Sequence, residues 1–187
     1  MAIALAELQR PLDIQDYLNA PEDGERFEII NGGMFEVPSP GPKHIELGLA
    51  ILYAFNEVVK PQKLGKMYVA PLGTRFSEND ILEPDVMFIS TSQRSSVTAK
   101  YLDAVPEFVA EILSPSSRKH DLVTKMAIYQ RCGVREYWVV DPIAHQVRPF
   151  RLRDGRLVEE AVVAGVVQSE VVTGVTINVK ELFAELW

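Results

Sequence analysis

Pro106-Glu107-Phe108-Val109-Ala110-Glu111-Ile112-Leu113-Ser114-Pro115-Ser116 reads as a strand running into a turn. The strand portion is nearly all apolar, which implies burial on both faces, as in the middle of a sheet. Glu107 lies near its start and can reach solvent. Glu111 interrupts the apolar half, and an ionised carboxylate there costs several kcal/mol unless a cation or strong donors meet it. After the Ser-Pro-Ser-Ser turn, the pattern predicts a helix from Arg118 to Cys132. Leu122, Met126 and Tyr129 form one stripe of it, widened by Ile128 and Cys132. Lys125 falls inside that arc, about 40° from Tyr129 at ~100° per residue. A strand with a lone acid is thus followed by a helix that points a lone lysine inward.

The rest of the chain fits one domain over 1–187, with 1–25 as a lead-in. Its 47% hydrophobic and 24% charged residues are those of a globular protein. No apolar run approaches a membrane span, and the N-terminus lacks a basic region followed by an apolar core, so no membrane association and a cytoplasmic location are expected. The single cysteine, Cys132, excludes an internal disulfide and fits a reducing compartment; it reads as a small core filler. The net charge of −7 argues against a general nucleic-acid coat protein. Charge is uneven, however: positions 94–135 carry seven Lys/Arg against four Asp/Glu, which a mixed solvated surface explains equally well.

In chain order, Leu12–Leu18 predicts a short helix. Arg26–Asn31 and Met34–Val37 form a hairpin about Asn31-Gly32-Gly33. An amphipathic helix is expected over His44–Lys60, with Ile45, Leu49, Leu52, Phe55 and Val59 on its buried face and Pro61 ending it. Gly65–Phe76 has β character, Ser77–Asp80 is a turn, and Val86–Ile89 is a short apolar strand. Thr91–Ser96 reads as a polar loop and Thr98–Asp103 as a brief helix. Val134–Val140 is another strand, Gln146–Arg153 and Arg156–Val163 pair about Asp154-Gly155, and Val179–Leu186 is a final helix. The fold class is therefore α/β (α+β): a mixed sheet flanked by helices, with N- and C-terminal hairpins.

Metal-assisted phosphodiester chemistry needs oxygen ligands converging on a hard cation, and a group that positions water. Asp85 and Glu111, on what would be neighbouring strands, suit the ligands; Glu28 could add a third carboxylate; Lys125 would supply the positive group. Each residue also has a plainer explanation. Asp85 after Pro84 can simply begin a strand, Glu111 and Lys125 can form a structural ion pair, and Glu28 can face outward. Ser114, Ser116 and Ser117 can satisfy backbone groups at the helix start. His44 has a claim to contact phosphate or a bound water; His120 and His145 have less.

Glu83-Pro84-Asp85, Val105-Pro106, Glu111 through Ser116, Asp121, Lys125, Tyr129 and Gly133-Val134 followed by Glu136-Tyr137-Trp138-Val139-Val140-Asp141-Pro142 together resemble the Uma-type restriction-endonuclease family. Phe27-Glu28-Ile29-Ile30-Asn31-Gly32 and the proline-rich step into His44 extend the resemblance over most of the chain. That family is placed in the PD-(D/E)XK nuclease superfamily. The resemblance implies a restriction-endonuclease-like fold with Asp85 and Glu111 as Mg²⁺ ligands (Mn²⁺ as the alternative) and the backbone carbonyl of Ile112 as a third. The superfamily's lysine stands two residues after the glutamate, where this chain has Leu113; Lys125 from the next helix takes its place. The expected function is Mg²⁺-dependent endonucleolytic cleavage of DNA, double-stranded, by a homodimer. Asp85, Glu111, Lys125 and Glu28 would be catalytic, with His44 and Ser114 as substrate contacts. The rivals are a non-catalytic nuclease-fold module that binds DNA or acts as a scaffold, and hydrolysis of RNA or another phosphodiester.

Overall fold

In the computed structural model, which describes residues 10–21, 25–184 and 186, the strand around Glu111 is the middle of a six-stranded sheet. Its order is β10-β9-β8-β7-β6-β3. The strands are β3 (Gly65–Val69), β6 (Val86–Ser90), β7 (Phe108–Ile112), β8 (Glu136–Asp141), β9 (Gln146–Arg153) and β10 (Arg156–Glu159). All neighbours are antiparallel except β7 and β8, which are parallel. The parallel pair requires a crossover. A π-helical turn (His120–Lys125) running into the α-helix Met126–Cys132 supplies it, and Gly133 in the left-handed region (φ 83°) ends that helix.

Period-two alternation sends the side chains of β7 to opposite layers. Phe108, Ala110 and Ile112 pack with Phe55, Trp138 and Val140 beneath the long helix Pro42–Gln62. Val109 and Leu113 pack with Ile128, Tyr129 and Tyr137 beneath the crossover helix. Each such large apolar side chain contributes about 1.5–3 kcal/mol on burial. A second sheet, ordered β2-β1-β5-β4, lies at the crossover-helix side, where Phe76 packs on Tyr129. It comprises β1 (Phe27–Ile30), β2 (Gly33–Glu36), β4 (Thr74–Ser77) and β5 (Asp80–Leu82). The short helix Ile14–Leu18 begins at Asp13, whose side chain accepts from the Gln15 and Asp16 amides, and it shares a small core with Phe27, Ile29 and Ile81. A two-stranded sheet, β11 (Val166–Gln168) with β12 (Thr176–Asn178), and the helix Val179–Ala184 complete the described chain. Both predicted hairpins form, each on a two-residue turn with left-handed residues: Asn31-Gly32 (φ 50° and 76°) and Asp154-Gly155 (φ 49° and 76°).

Four expectations are corrected. The long helix buries Leu47, Gly48, Ile51, Phe55 and Val59, while Ile45 and Leu49 are exposed. Both faces of that helix carry large apolar residues, so periodicity alone does not fix which one meets the sheet. Pro61 lies within the helix, which ends only at Lys63 in the left-handed conformation. The brief helix falls at Thr91–Ser96, in a 3₁₀ conformation, and not at Thr98–Asp103. There the Thr98 hydroxyl accepts from the Lys100 and Tyr101 amides and closes a turn instead. Gly65–Phe76 is two strands in different sheets, separated by residues 70–73. The first nine residues of the lead-in lie outside the described residues.

Candidate functional site

Asp85 stands immediately before β6, whose Val86 pairs with Ala110 of β7. Continued by one residue, that register sets Asp85 opposite Glu111, and opposite residues of an antiparallel pair share a face. The Ile112 amide confirms the approach, donating to Asp85 Oδ2 at 2.7 Å. His44, in the first turn of the long helix, brings Nε2 to the same oxygen at 3.1 Å. Burial lowers the affinity of its ring for a proton, but Asp85 outweighs this and the pKa rises.

Glu111 is buried within β7. Its Oε1 receives Lys125 Nζ at 3.1 Å and a short hydrogen bond from the Tyr129 hydroxyl. Asp121, Lys125 and Tyr129 recur every fourth residue across the π-helical turn and the helix after it, and all three are buried. Lys125 Nζ also lies 2.8 Å from Glu28 Oε1 and 3.7 Å from Asp121 Oδ1. Glu28 comes from β1 of the second sheet and is buried, so its outward-facing alternative is excluded. The Glu83 amide donates to its Oε1 at 2.8 Å. The Glu83 carboxylate is held in turn by the Tyr17 hydroxyl (2.6 Å) and by Arg26 Nε (3.1 Å).

The electrostatics follow from the count of charges. Burial raises the Glu111 pKa well above the usual carboxylate range; Lys125 opposes this, but Asp85, Asp121 and Glu28 reinforce it. Burial pushes Asp121 up to about 6, against the pull of Lys125. For Lys125 burial favours the neutral amine, yet Glu111, Glu28, Asp121 and Asp85 outweigh it and hold the ammonium firmly protonated. Four carboxylates thus gather around one lysine, an excess of negative charge that proton uptake or a further cation would relieve.

Asp85, Glu111, Asp121 and Lys125 line a cleft of about 740 Å³, walled by Pro38–Pro42 on one side and Ser114–Ser117 with Ile143 on the other. The two carboxylates expected to hold a metal are prepared alike. Asp85 Oδ2 is engaged by Ile112 and His44, and Glu111 Oε1 by Lys125 and Tyr129. Their other oxygens, Oδ1 and Oε2, take no hydrogen bond among the described residues. No group of three or more His, Cys, Asp or Glu side chains has metal-holding geometry among the described residues. The donor set on offer is therefore two carboxylates, supplemented by backbone carbonyl or water, all oxygen. That is the chemistry of a hard divalent cation such as Mg²⁺, which keeps several waters and needs few protein ligands.

Of the other sequence candidates, Ser114 lines the cleft, but its hydroxyl is tied to Ser116 (3.0 Å) and accepts from the Ser117 amide (3.0 Å), so it organises the turn. His120 lies beside the site, with Nε2 3.9 Å from Glu28 Oε2 and its ring against Phe35. His145 is elsewhere, stacked on Phe183. Burial raises the Cys132 thiol, as suits a filler. Sequence reasoning missed Asp121, the hydroxyl of Tyr129 as a donor to Glu111, and the Tyr17–Glu83–Arg26 support. The spacing Asp121, Lys125, Tyr129 was the available signal for the first two.

Comparison with known proteins agrees with this architecture. The solved structures similar to the chain include one from Anabaena variabilis ATCC 29413, described as "a putative nuclease belonging to DUF820". It has a TM-score of 0.78 and 21% sequence identity, over 95% of this chain and all of that one. At that identity it shows a shared fold. No curated protein gives a significant match. The family profile for Uma2, described as "Putative restriction endonuclease", matches residues 14–180, which include every side chain around Lys125. The chain belongs to the Uma2 family.

Proposed function

We propose that the protein is a divalent-metal-dependent endonuclease that hydrolyses DNA phosphodiester bonds in the cleft above β6 and β7. The observation that carries this reading is the pairing of Asp85 and Glu111, each with one oxygen held by two donors and the other unengaged at the cleft. Asp85 and Glu111 would hold Mg²⁺, or Mn²⁺, with the Ile112 carbonyl and water. The bound ion supplies a lowered water pKa and charge stabilisation at the phosphate.

The chain's own residues do the rest. Lys125, behind Glu111, favours the ionised form of that carboxylate against the effect of its burial and presents positive charge to the phosphate or the attacking water. Glu28 and Asp121 fix the ammonium from the other sides. His44 holds Asp85 from the cleft wall and, as a cleft-lining imidazole, would be a phosphate contact. Two-strand scission would pair two such sites in a homodimer.

One observation favours a second reading. Lys125 already has three carboxylates within 2.8–3.7 Å, as expected of a purely structural hub in a non-catalytic nuclease-fold module. Incubation with supercoiled plasmid, linear duplex, single-stranded DNA and RNA, with Mg²⁺, Mn²⁺ or chelator, separates the readings. Metal-dependent DNA cleavage is expected. DNA binding with no cleavage in any metal would favour the module, and preferential RNA cleavage would reassign the substrate.

A further inference from the structure

Tyr129 is buried completely, and its hydroxyl is the shortest contact made by Glu111. Its ring is held by two aromatic neighbours without help from that hydroxyl: Phe76 lies 5.1 Å away, Tyr137 5.1 Å away edge-on, and both belong to the same apolar cluster. Packing therefore fixes where the hydroxyl points. Lys125 donates to the same Glu111 oxygen at 3.1 Å but divides its charge among three carboxylates. The phenol is a single directional donor committed to Glu111 alone.

We propose that Tyr129 is a positioning residue for the metal site: it clamps Glu111 Oε1 and thereby turns Oε2 toward the cleft as a ligand. The inference rests on the metal-dependent reading above and deepens it. Donors that orient ligating carboxylates typically control metal affinity by about 10–100-fold when removed. Burial, then the charges of Glu111 and Glu28, raise the phenol's pKa, so it remains a donor at any working pH. A role confined to packing makes a different prediction, because phenylalanine preserves the ring and its neighbours.

The test is Mn²⁺ binding by calorimetry to wild type, Tyr129→Phe, Glu111→Gln and the double variant, each checked for native circular dichroism. Tyr129→Phe should weaken Mn²⁺ binding about 10–100-fold. In the Glu111→Gln background the same substitution should add little, because the hydroxyl acts through that carboxylate. Cleavage by Tyr129→Phe should recover toward wild type as Mn²⁺ is raised to saturation. Unchanged Mn²⁺ affinity in Tyr129→Phe, or an equal loss with and without the Glu111 carboxylate, overturns the positioning role alone. A wild type that binds no Mn²⁺ overturns both this role and the reading on which it rests. Should Tyr129→Phe fold poorly, site-specific 3-fluorotyrosine keeps the donor and the ring. It should retain wild-type Mn²⁺ affinity, and a 10-fold or greater loss there would overturn the clamp.

Discussion

Replacing Lys125 by methionine keeps the length and the apolar stem but deletes the charge that three carboxylates share. Glu28 and Glu111 expose 2% or less of their surface, so neither can turn to water when the ammonium is gone. Breaking a buried ion pair by removing one partner costs about 3–5 kcal/mol. The metal-free Lys125→Met protein should therefore lose roughly that much stability at pH 7 in urea denaturation. Part of it should return at pH 5, where the raised carboxyls take up protons. Mn²⁺ should restore more, since it replaces the missing positive charge, and metal affinity should stay the same or rise. Plasmid cleavage under saturating metal should fall by roughly 10²-fold or more, the usual loss for one electrostatic stabiliser. Leu113→Lys in this background returns an ammonium to the face of β7 that carries Glu111, two residues further on, and should recover part of the activity. Full cleavage by Lys125→Met would refute the reasoning. A wild type without cleavage, in which Met changes only stability, would leave Lys125 as Glu111's structural partner.

Three further outcomes are expected. The metal-free protein should gain stability on acidification from pH 7 to 5. Asp121 and Glu111 have raised folded pKa values and so bind more protons folded than unfolded; at about 6 in place of 3.8, Asp121 alone is worth roughly 1 kcal/mol between pH 7 and 5, and its full ~3 kcal/mol only below its unfolded value. His44 adds to the gain and His120, whose pKa is lowered by burial, subtracts from it; thermal melts that fall steadily below pH 7 would contradict the charge balance. Gly65→Ala should destabilise by about 1–3 kcal/mol, because a Cβ there would sit 2.1 Å from the Ile89 carbonyl oxygen of the paired strand; an unchanged denaturation midpoint would count against the β3–β6 register. Light scattering should give a homodimer mass, and a concentration-independent monomer would remove that expectation.

Much of the frame was legible because it rests on local signals. A continuous apolar run marked β7 as central, Asn-Gly and Asp-Gly fixed two hairpins, and inward placement of Lys125 followed from helical spacing. What escaped depends on partners distant in sequence. The burial of Glu28 arises from pairing of β1 with β5 and from the Glu83 amide, neither of which alternation can reveal. Asp121 escaped for another reason: the apolar stripe of Leu122, Met126 and Tyr129 is the more conspicuous signal, although helical spacing sets Asp121 about 40° from Lys125, inside the same arc. The π-helical turn widens the helix there; Asp121 and Lys125 are buried, and Leu122 and Met126 are only partly covered. The phase of the long helix was ambiguous for a different reason: its outer face also carries large apolar residues, with Ile45, Leu49 and Tyr53 exposed.

The central claim is that Asp85 and Glu111 act as charged ligands and not as structural acids. Plasmid cleavage in Mg²⁺ by Asp85→Asn and Glu111→Gln, each with native circular dichroism, tests it most directly. Both substitutions keep shape and remove charge, so both variants should lose cleavage by at least about 10²-fold. In Glu111→Gln the buried charge is also gone, and the metal-free melting temperature should hold or rise. Wild-type cleavage rates in both variants would contradict the account.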